Sequence, residues 1–428
     1  MRPARSAAAL RNQLDAYLRK AGGTSSALVV DETTGRTLLS IAPTAQRLPA
    51  SVQKLYTTTT ALLTLGPTAK FTTSVLGEGK LEPGGVWKGT LYLRGGGDPT
   101  FGDAQFDTDS YGAGATVQQL ALALRHAGIN RVDGAIVGDG SYFDPRRGTP
   151  ATGYRPSTAL EGELDGLSYD AGWESATSDV LQPDPTHWAA AAFATVLAQS
   201  GIAVPKHTSI TTGTTPPGAR LLASVSSPPL SKILELTNSP SDNFFAETLL
   251  KDLGAHVGDG TTAKGAAIVK ATIAKRFGLH PQFNDGSGLS RADRTTAADV
   301  ITLLEKMQSN PTFTNSLAIA GVRGTMVSEM VGTPAVDNCR GKTGTLSDVA
   351  NLVGYCKAAN GDQLVFAFLM NSLRSSDFGH DEEDLMGSAL ADYNAAGQTP
   401  TRTTTTPTRT VTTPAPPPTR STSGGSPF

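Results

Sequence analysis

The sequence predicts an α+β protein whose main sheet is assembled from both ends of the chain. Three observations predict it. An amphipathic helix and a β-hairpin open the chain, and a run of strands followed by a helix closes it. Between them, residues 76–214 change texture to short strands, many glycines and turn clusters, as a separate β-rich domain would.

The first element is a helix over 7–18, where Leu10, Leu14 and Leu18 recur at i, i+4 and i+8. Runs 26–30 and 36–41 are β-rich and flank Glu32-Thr33-Thr34-Gly35, a hairpin signal. Leu48-Pro49-Ala50 leads into a helix over 51–65, which Gly66-Pro67 stops. In the β-rich segment, 91–94 and 132–138 read as strands, with helices over 116–127 and 187–200. Gly95-Gly96-Gly97 is a turn and not a phosphate loop, because no Gly-Lys-Ser/Thr follows.

Helices return at 230–236, 243–253, 265–277 and 295–308. Strands are then expected at 339–346, 350–357 and 363–370, and a last helix at 378–395. This order divides the chain into a discontinuous domain (1–75 and 215–395), an inserted β-rich domain (76–214) and a tail (396–428). The tail is Thr, Pro, Arg, Ser and Gly with almost no apolar residue, too little to offset chain entropy, and is expected to be disordered.

Composition excludes several classes. A net charge of −2 offers no electrostatic footprint for nucleic acid. No apolar run approaches the roughly 18 residues that a membrane helix needs. The first ten residues start basic, but Arg11, Asn12 and Gln13 interrupt before the apolar core of a signal peptide can form. His126, His187, His207, His256, His280 and His380 show no metal-ligand spacing and read as surface or helix-end residues. Neither a metal nor a cofactor is expected.

The two cysteines, Cys339 and Cys356, flank the hairpin that turns at Ser347-Asp348. A turn centred there makes them cross-strand neighbours, close enough for a disulfide. Two free buried thiols are the alternative.

Three strings carry the chemistry: Ser51-Val52-Gln53-Lys54, Ser241-Asp242-Asn243 and Lys342-Thr343-Gly344. Ser51 and Lys54 are three apart, on one face at the start of the predicted helix. There, free N–H groups favour developing negative charge. A serine hydroxyl needs a base, and lysine can serve if its environment keeps it neutral. Taken alone, the pair reads better as an N-cap serine and a surface lysine.

Ser241 and Asn243 share a breaker-rich turn where both can face a cleft, Ser241 to relay a proton and Asn243 to hold a peptide backbone. Ordinary helix capping explains the same string. Lys342, Thr343, Gly344 and Thr345 lie on a predicted strand that could pair with an extended substrate. The lysine and threonines would hold a carboxylate, and Gly344 would permit close approach of the ligand. The N–H groups of Ser51 and Thr345 would form an oxyanion hole.

In these strings, and in their order, the chain resembles the penicillin-binding proteins, specifically the low-molecular-mass D-alanyl-D-alanine carboxypeptidase/endopeptidase group with an inserted domain. Residues 91–100 (LYLRGGGDPT), 285–291 (DGSGLSR), 320–325 (AGVRGT) and 341–346 (GKTGTL) extend the likeness to about 20–395. The resemblance implies a serine β-lactamase/DD-transpeptidase-like fold, an antiparallel sheet flanked by helices beside a helical subdomain. It implies Ser51 as the acylated nucleophile, Lys54 as its base and Ser241 with Asn243 as the relay and binding pair. Lys342, Thr343, Gly344 and Thr345 form the carboxylate side, with Arg291 near the cleft.

Peptidoglycan stem peptides and β-lactams are the implied partners, and an extracytoplasmic location, periplasm or cell wall, follows. The stretch between Ser51 and Ser241 is short for this group, whose longer members carry a further nested domain, so only the main insert is expected. Two alternatives stay open. A β-lactamase or esterase of similar fold would need a deacylating base, yet no E-x-x-L-N string follows Ser241. A non-catalytic wall-binding protein would have no need for both lysines.

Overall fold

In the computed structural model, which describes residues 6–394, the strands fall into two sheets. In chain order they are β1 (Thr24–Asp31), β2 (Arg36–Ile41), β3 (Thr72–Glu82), β4 (Val86–Arg94), β5 (Arg131–Asp133) and β6 (Ile136–Asp139). There follow β7 (Ile210–Thr212), β8 (Arg220–Ser226), β9 (Ala318–Ile319), β10 (Cys339–Leu346), β11 (Val349–Lys357) and β12 (Gln363–Asn371). Two compact units contain them: residues 6–59, 234–241 and 270–394 in one, 60–233 and 242–269 in the other. The tail expected at 396–428 lies outside the described residues.

The first unit holds a sheet in the order β2-β1-β12-β11-β10-β9, antiparallel throughout. The two ends of the chain do meet in it, since Thr24 faces Asn371 and Asp31 faces Leu364 across β1 and β12. The opening hairpin turns where Asp31 Oδ1 accepts from the N–H groups of Thr33 and Thr34.

Helix Ala7–Ala21 buries Leu10, Leu14, Leu18 and Ala21, three residues longer than the leucine spacing alone predicts. Ser6 caps its start, accepting from Ala9 N at 3.1 Å. Those leucines share a core with Phe366, Phe368 and Met370 of β12 and with Met386 and Leu390 of the closing helix, Asp377–Ala391. Burying each such side chain contributes about 1.5–3 kcal/mol. Helix Ala297–Met307 packs against β1 and β12.

The second unit has a mixed sheet. β3 pairs antiparallel with β4 and β8, whereas β5 and β6 run parallel to β4, and β7 parallel to β6. Its core joins Val75, Trp87, Leu91 and Leu93 to Leu120 and Leu124 of helix Val117–His126. Phe193 and Leu197 of helix Pro185–Gln199 complete it. β3 was not singled out by the sequence: it opens Thr72-Thr73-Ser74, Val75 and Leu76 are adjacent, and Gly77 and Gly79 follow, so no apolar alternation marks it. Gly77 is nonetheless required, because a Cβ there would run into the Trp87 ring.

Candidate active site

Ser51 lies in a 3₁₀ turn, Ala50–Gln53, and the α-helix proper begins at Lys54 and ends at Leu65. This corrects the expected helix start at 51. The tighter turn is held by its surroundings: Gly288 lies so close that a Cβ on it would overlap Ala50 O. Ala50 itself takes a left-handed φ of 45°, an uncommon conformation for a residue with a side chain.

Lys54 Nζ donates to Ser51 Oγ at 2.9 Å and to the carbonyl of Ser287 at 2.9 Å, and the lysine is completely buried. The 285–290 loop that supplies this carbonyl is built around Asp285. Its carboxyl accepts from Gly288 N at 2.8 Å and Ser290 N at 2.7 Å. Desolvation, with the neighbouring Asp293 carboxyl adding, raises Asp285 well above the usual carboxylate range. Thr57, one turn along the helix, donates to Gly286 O at 2.8 Å and ties the loop to the same helix.

The third string lies on β10. A Cβ on Gly344 would stand 2.7 Å from Pro49 O and 3.2 Å from Val52 N, so glycine here lets the strand approach the Ser51 turn. The close approach is by this chain's own backbone, a different use from the ligand approach expected from sequence. β9 pairs only with Arg340 and Gly341, so among the described residues no further strand lies along Lys342–Leu346 on that side.

Lys342 is fully buried, with Nζ donating to Thr343 O at 3.0 Å. Thr343 Oγ1 donates to Thr325 Oγ1 at 2.8 Å. Thr345 is exposed.

Ser241 follows a segment anchored on both sides of this arrangement. Asn238 Nδ2 donates to Thr58 Oγ1 at 3.1 Å, on the helix that carries Lys54. Ser239 O accepts from Thr325 N at 2.9 Å, and Thr325 is the partner of Thr343. Ser241 is left-handed, with φ of 70°. Strain of this kind clusters at functional sites.

Asn243 belongs to the second unit. Its amide donates to Ala159 O at 3.0 Å, and its N–H to Glu161 Oε2 at 2.8 Å. Asp242 caps the helix Asn243–Ala255 by accepting from Phe245 N, so capping accounts for the middle residue of the string.

Arg291 is held by the hairpin turn after β10, bonding Ser347 Oγ at 2.9 Å and Asp348 Oδ1 at 2.7 Å. At the far end of that hairpin Cys339 faces Cys356, and the two sulfurs are bonded.

Two neighbours of the strings had no site role assigned from sequence. Thr325 ends the 320–325 stretch that extends the resemblance. His380 lies in the first turn of the closing helix, with Nε2 3.2 Å from Thr345 Oγ1 and Nδ1 2.8 Å from Glu383 Oε2. The available signal was the i, i+3 spacing of His380 and Glu383.

A serine, a buried lysine within hydrogen-bond reach and a strand edge close by are the parts of an acyl-transfer site. The model of the D-Ala-D-Ala carboxypeptidase 3 (S13) family matches residues 10–157 and 167–393. The chain belongs to that family. It is therefore a peptidase of the D-Ala-D-Ala carboxypeptidase class.

Among curated relatives, a D-alanyl-D-alanine carboxypeptidase of Actinomadura sp. strain R39 is 29% identical, aligned over 91% of this chain and 86% of its own. The carboxypeptidase DacB of Mycolicibacterium smegmatis is 30% identical over 80% of this chain and 75% of its own. The solved penicillin-binding protein 4 of Haemophilus influenzae superposes with a TM-score of 0.71 at 21% identity, covering 88% of this chain and 97% of its own. That protein has also been solved with a β-lactam bound. The likeness shows the penicillin-binding-protein fold, as the resemblance implied. No helix among the described residues is long and apolar enough to cross a membrane.

Proposed function

We propose that this peptidase acts on peptidoglycan stem peptides ending in D-Ala-D-Ala, as carboxypeptidase or endopeptidase, through an acyl-enzyme on Ser51. One observation carries the reading: the 2.9 Å contact between Lys54 Nζ and Ser51 Oγ in a buried setting. With Lys54 neutral, that contact takes the Ser51 proton as Oγ attacks the scissile carbonyl. The oxyanion is received by the N–H groups of Ser51 and Thr345. The proton taken from Ser51 is relayed through the Ser241 hydroxyl to the departing amine, leaving the Ser51 ester and a neutral Lys54. Water then attacks the ester, giving one proton to Lys54, which returns it to Ser51 as the acid product leaves. Asn243 holds the peptide backbone. Lys342, Thr343 and Thr345 bind the terminal carboxylate, with Arg291 beside them and Gly344 keeping β10 against the nucleophile's turn.

The domain reading goes with it: residues 1–75 and 215–395 form the catalytic domain and 76–214 an insert. The same chemistry binds β-lactams, whose strained amide acylates the same serine, and the substrate places the protein outside the cytoplasm, in periplasm or wall. Incubation with benzylpenicillin, followed by intact mass over hours, tests this. A persistent adduct on Ser51 that Ser51→Ala abolishes is expected. Rapid loss with turnover would indicate a β-lactamase, and no adduct would indicate a binding protein.

A further inference from the structure

The serine chemistry leaves His380 without a role, yet it touches the recognition strand. Its Nε2 lies 3.2 Å from Thr345 Oγ1, and its Nδ1 lies 2.8 Å from Glu383 Oε2. Glu383 is completely buried and His380 half-buried, while Thr345 is exposed and open to a ligand. The three form a line from the closing helix to the strand edge. An ionised Glu383 keeps a hydrogen on Nδ1 in both the neutral and the charged imidazole. The two states then differ only at Nε2, the atom that faces Thr345.

We propose that the His380–Glu383 pair is a positioning device that makes Thr345 a proton-dependent donor to the carboxylate of the substrate or β-lactam. As imidazolium, His380 donates Nε2–H to Thr345 Oγ1, and the threonine hydrogen is left to point at the ligand. As neutral imidazole, Nε2 offers a lone pair and draws that same hydrogen to itself. The carboxylate then loses one donor. No bond is made or broken; His380 exchanges one proton with solvent. The idea rests on the carboxylate role of Thr345 proposed above.

The surroundings favour the charged form. The hydrogen bond to Glu383 raises His380 above its ordinary value, Glu329 and Asp377 add to this, and desolvation opposes it. Burial raises Glu383 above the usual carboxylate value, and the hydrogen bond and charge of the imidazole offset that only in part. Asp384 lies on the same helix, and Glu329 is flanked by Glu383, Asp384 and Lys342. The switch therefore falls above the ordinary histidine value of 6.5.

The test is the second-order rate of Ser51 acylation by benzylpenicillin from pH 5.5 to 9, read by intact mass. Wild type is compared with His380→Gln, whose amide N–H donates at every pH, and with Thr345→Val. Relative to His380→Gln, the wild-type rate should fall about ten- to a hundredfold as His380 deprotonates, the weight of one hydrogen bond to a charged group. Thr345→Val should be slow and lack this limb. Coincident wild-type and His380→Gln profiles would overturn the proposal while leaving acylation intact. Absence of any wild-type adduct would overturn the acylation reading and this inference with it. A variant-free check is the His380 ring titration by NMR: its midpoint should rise on penicillin acylation, and an unmoved midpoint counts against the idea.

Discussion

Lys54 is completely buried, and its Nζ reaches both the Ser51 hydroxyl and the Ser287 carbonyl. That placement beside the serine makes it the residue to test first. Lys54→Met keeps the volume and removes the proposed base; acylation by benzylpenicillin should fall by about 10²–10⁴-fold, the usual worth of a general base. An undiminished rate would assign the proton to another group. Lys54 and Ser51 were both legible from the sequence because three residues on a helical turn bring side chains together by local geometry alone. Thr325 was not, because its bond to Thr343 joins segments that only the folded sheet brings side by side.

At the scale of elements, the β10–β11 hairpin carries the Lys342-Thr343-Gly344 string. Its midpoint at Ser347-Asp348 was readable, and the pairing of Cys339 with Cys356 follows from that register. The bond closes a loop with a sequence separation of 17, for which loop-closure entropy predicts about 3 kcal/mol of stabilisation. Thermal unfolding of a Cys339→Ala/Cys356→Ala variant should show a loss of that order, and an unchanged melting temperature would refute it.

Gly344→Ala probes the other side of the hairpin. Its Cβ would meet Pro49 O at 2.7 Å, so β10 and the Ser51 turn must part. Overpacking of this kind costs about 1–3 kcal/mol, and acylation should slow more than stability falls. Equal rates for variant and wild type would show that the close approach does not matter. The 3₁₀ start at Ala50–Gln53 escaped the sequence because the turn is imposed by residues around 288, far along the chain.

Across the whole molecule, burial leaves several carboxyl groups costly to ionise. Desolvation raises Asp98, Glu163 and Asp170 to about 7 and Glu329 to about 8, against ordinary values of 3.8 to 4.5. A group raised on folding contributes stability that is complete below its unfolded value and is lost as pH climbs through the folded one. Stability should therefore decline between about pH 4 and pH 8, and the melting temperature should be lower at pH 8.5 than at pH 6. Glu329→Gln should remove part of that decline; a melting temperature that rises with pH would contradict the assignment.

The sequence by itself determined the α+β order, the three strings, the leucine face of the first helix and the register of the β10–β11 hairpin, because each depends on spacing that is local along the chain. Only the tertiary structure decided that Gly344 meets the Ser51 turn, that Thr325 and His380 reach β10, and that Asn243 bonds residues 159–161. It also decided the mixed pairing around β4. These rest on contacts between distant segments, and a strand's alternation says which face is buried but not which partner will cover it.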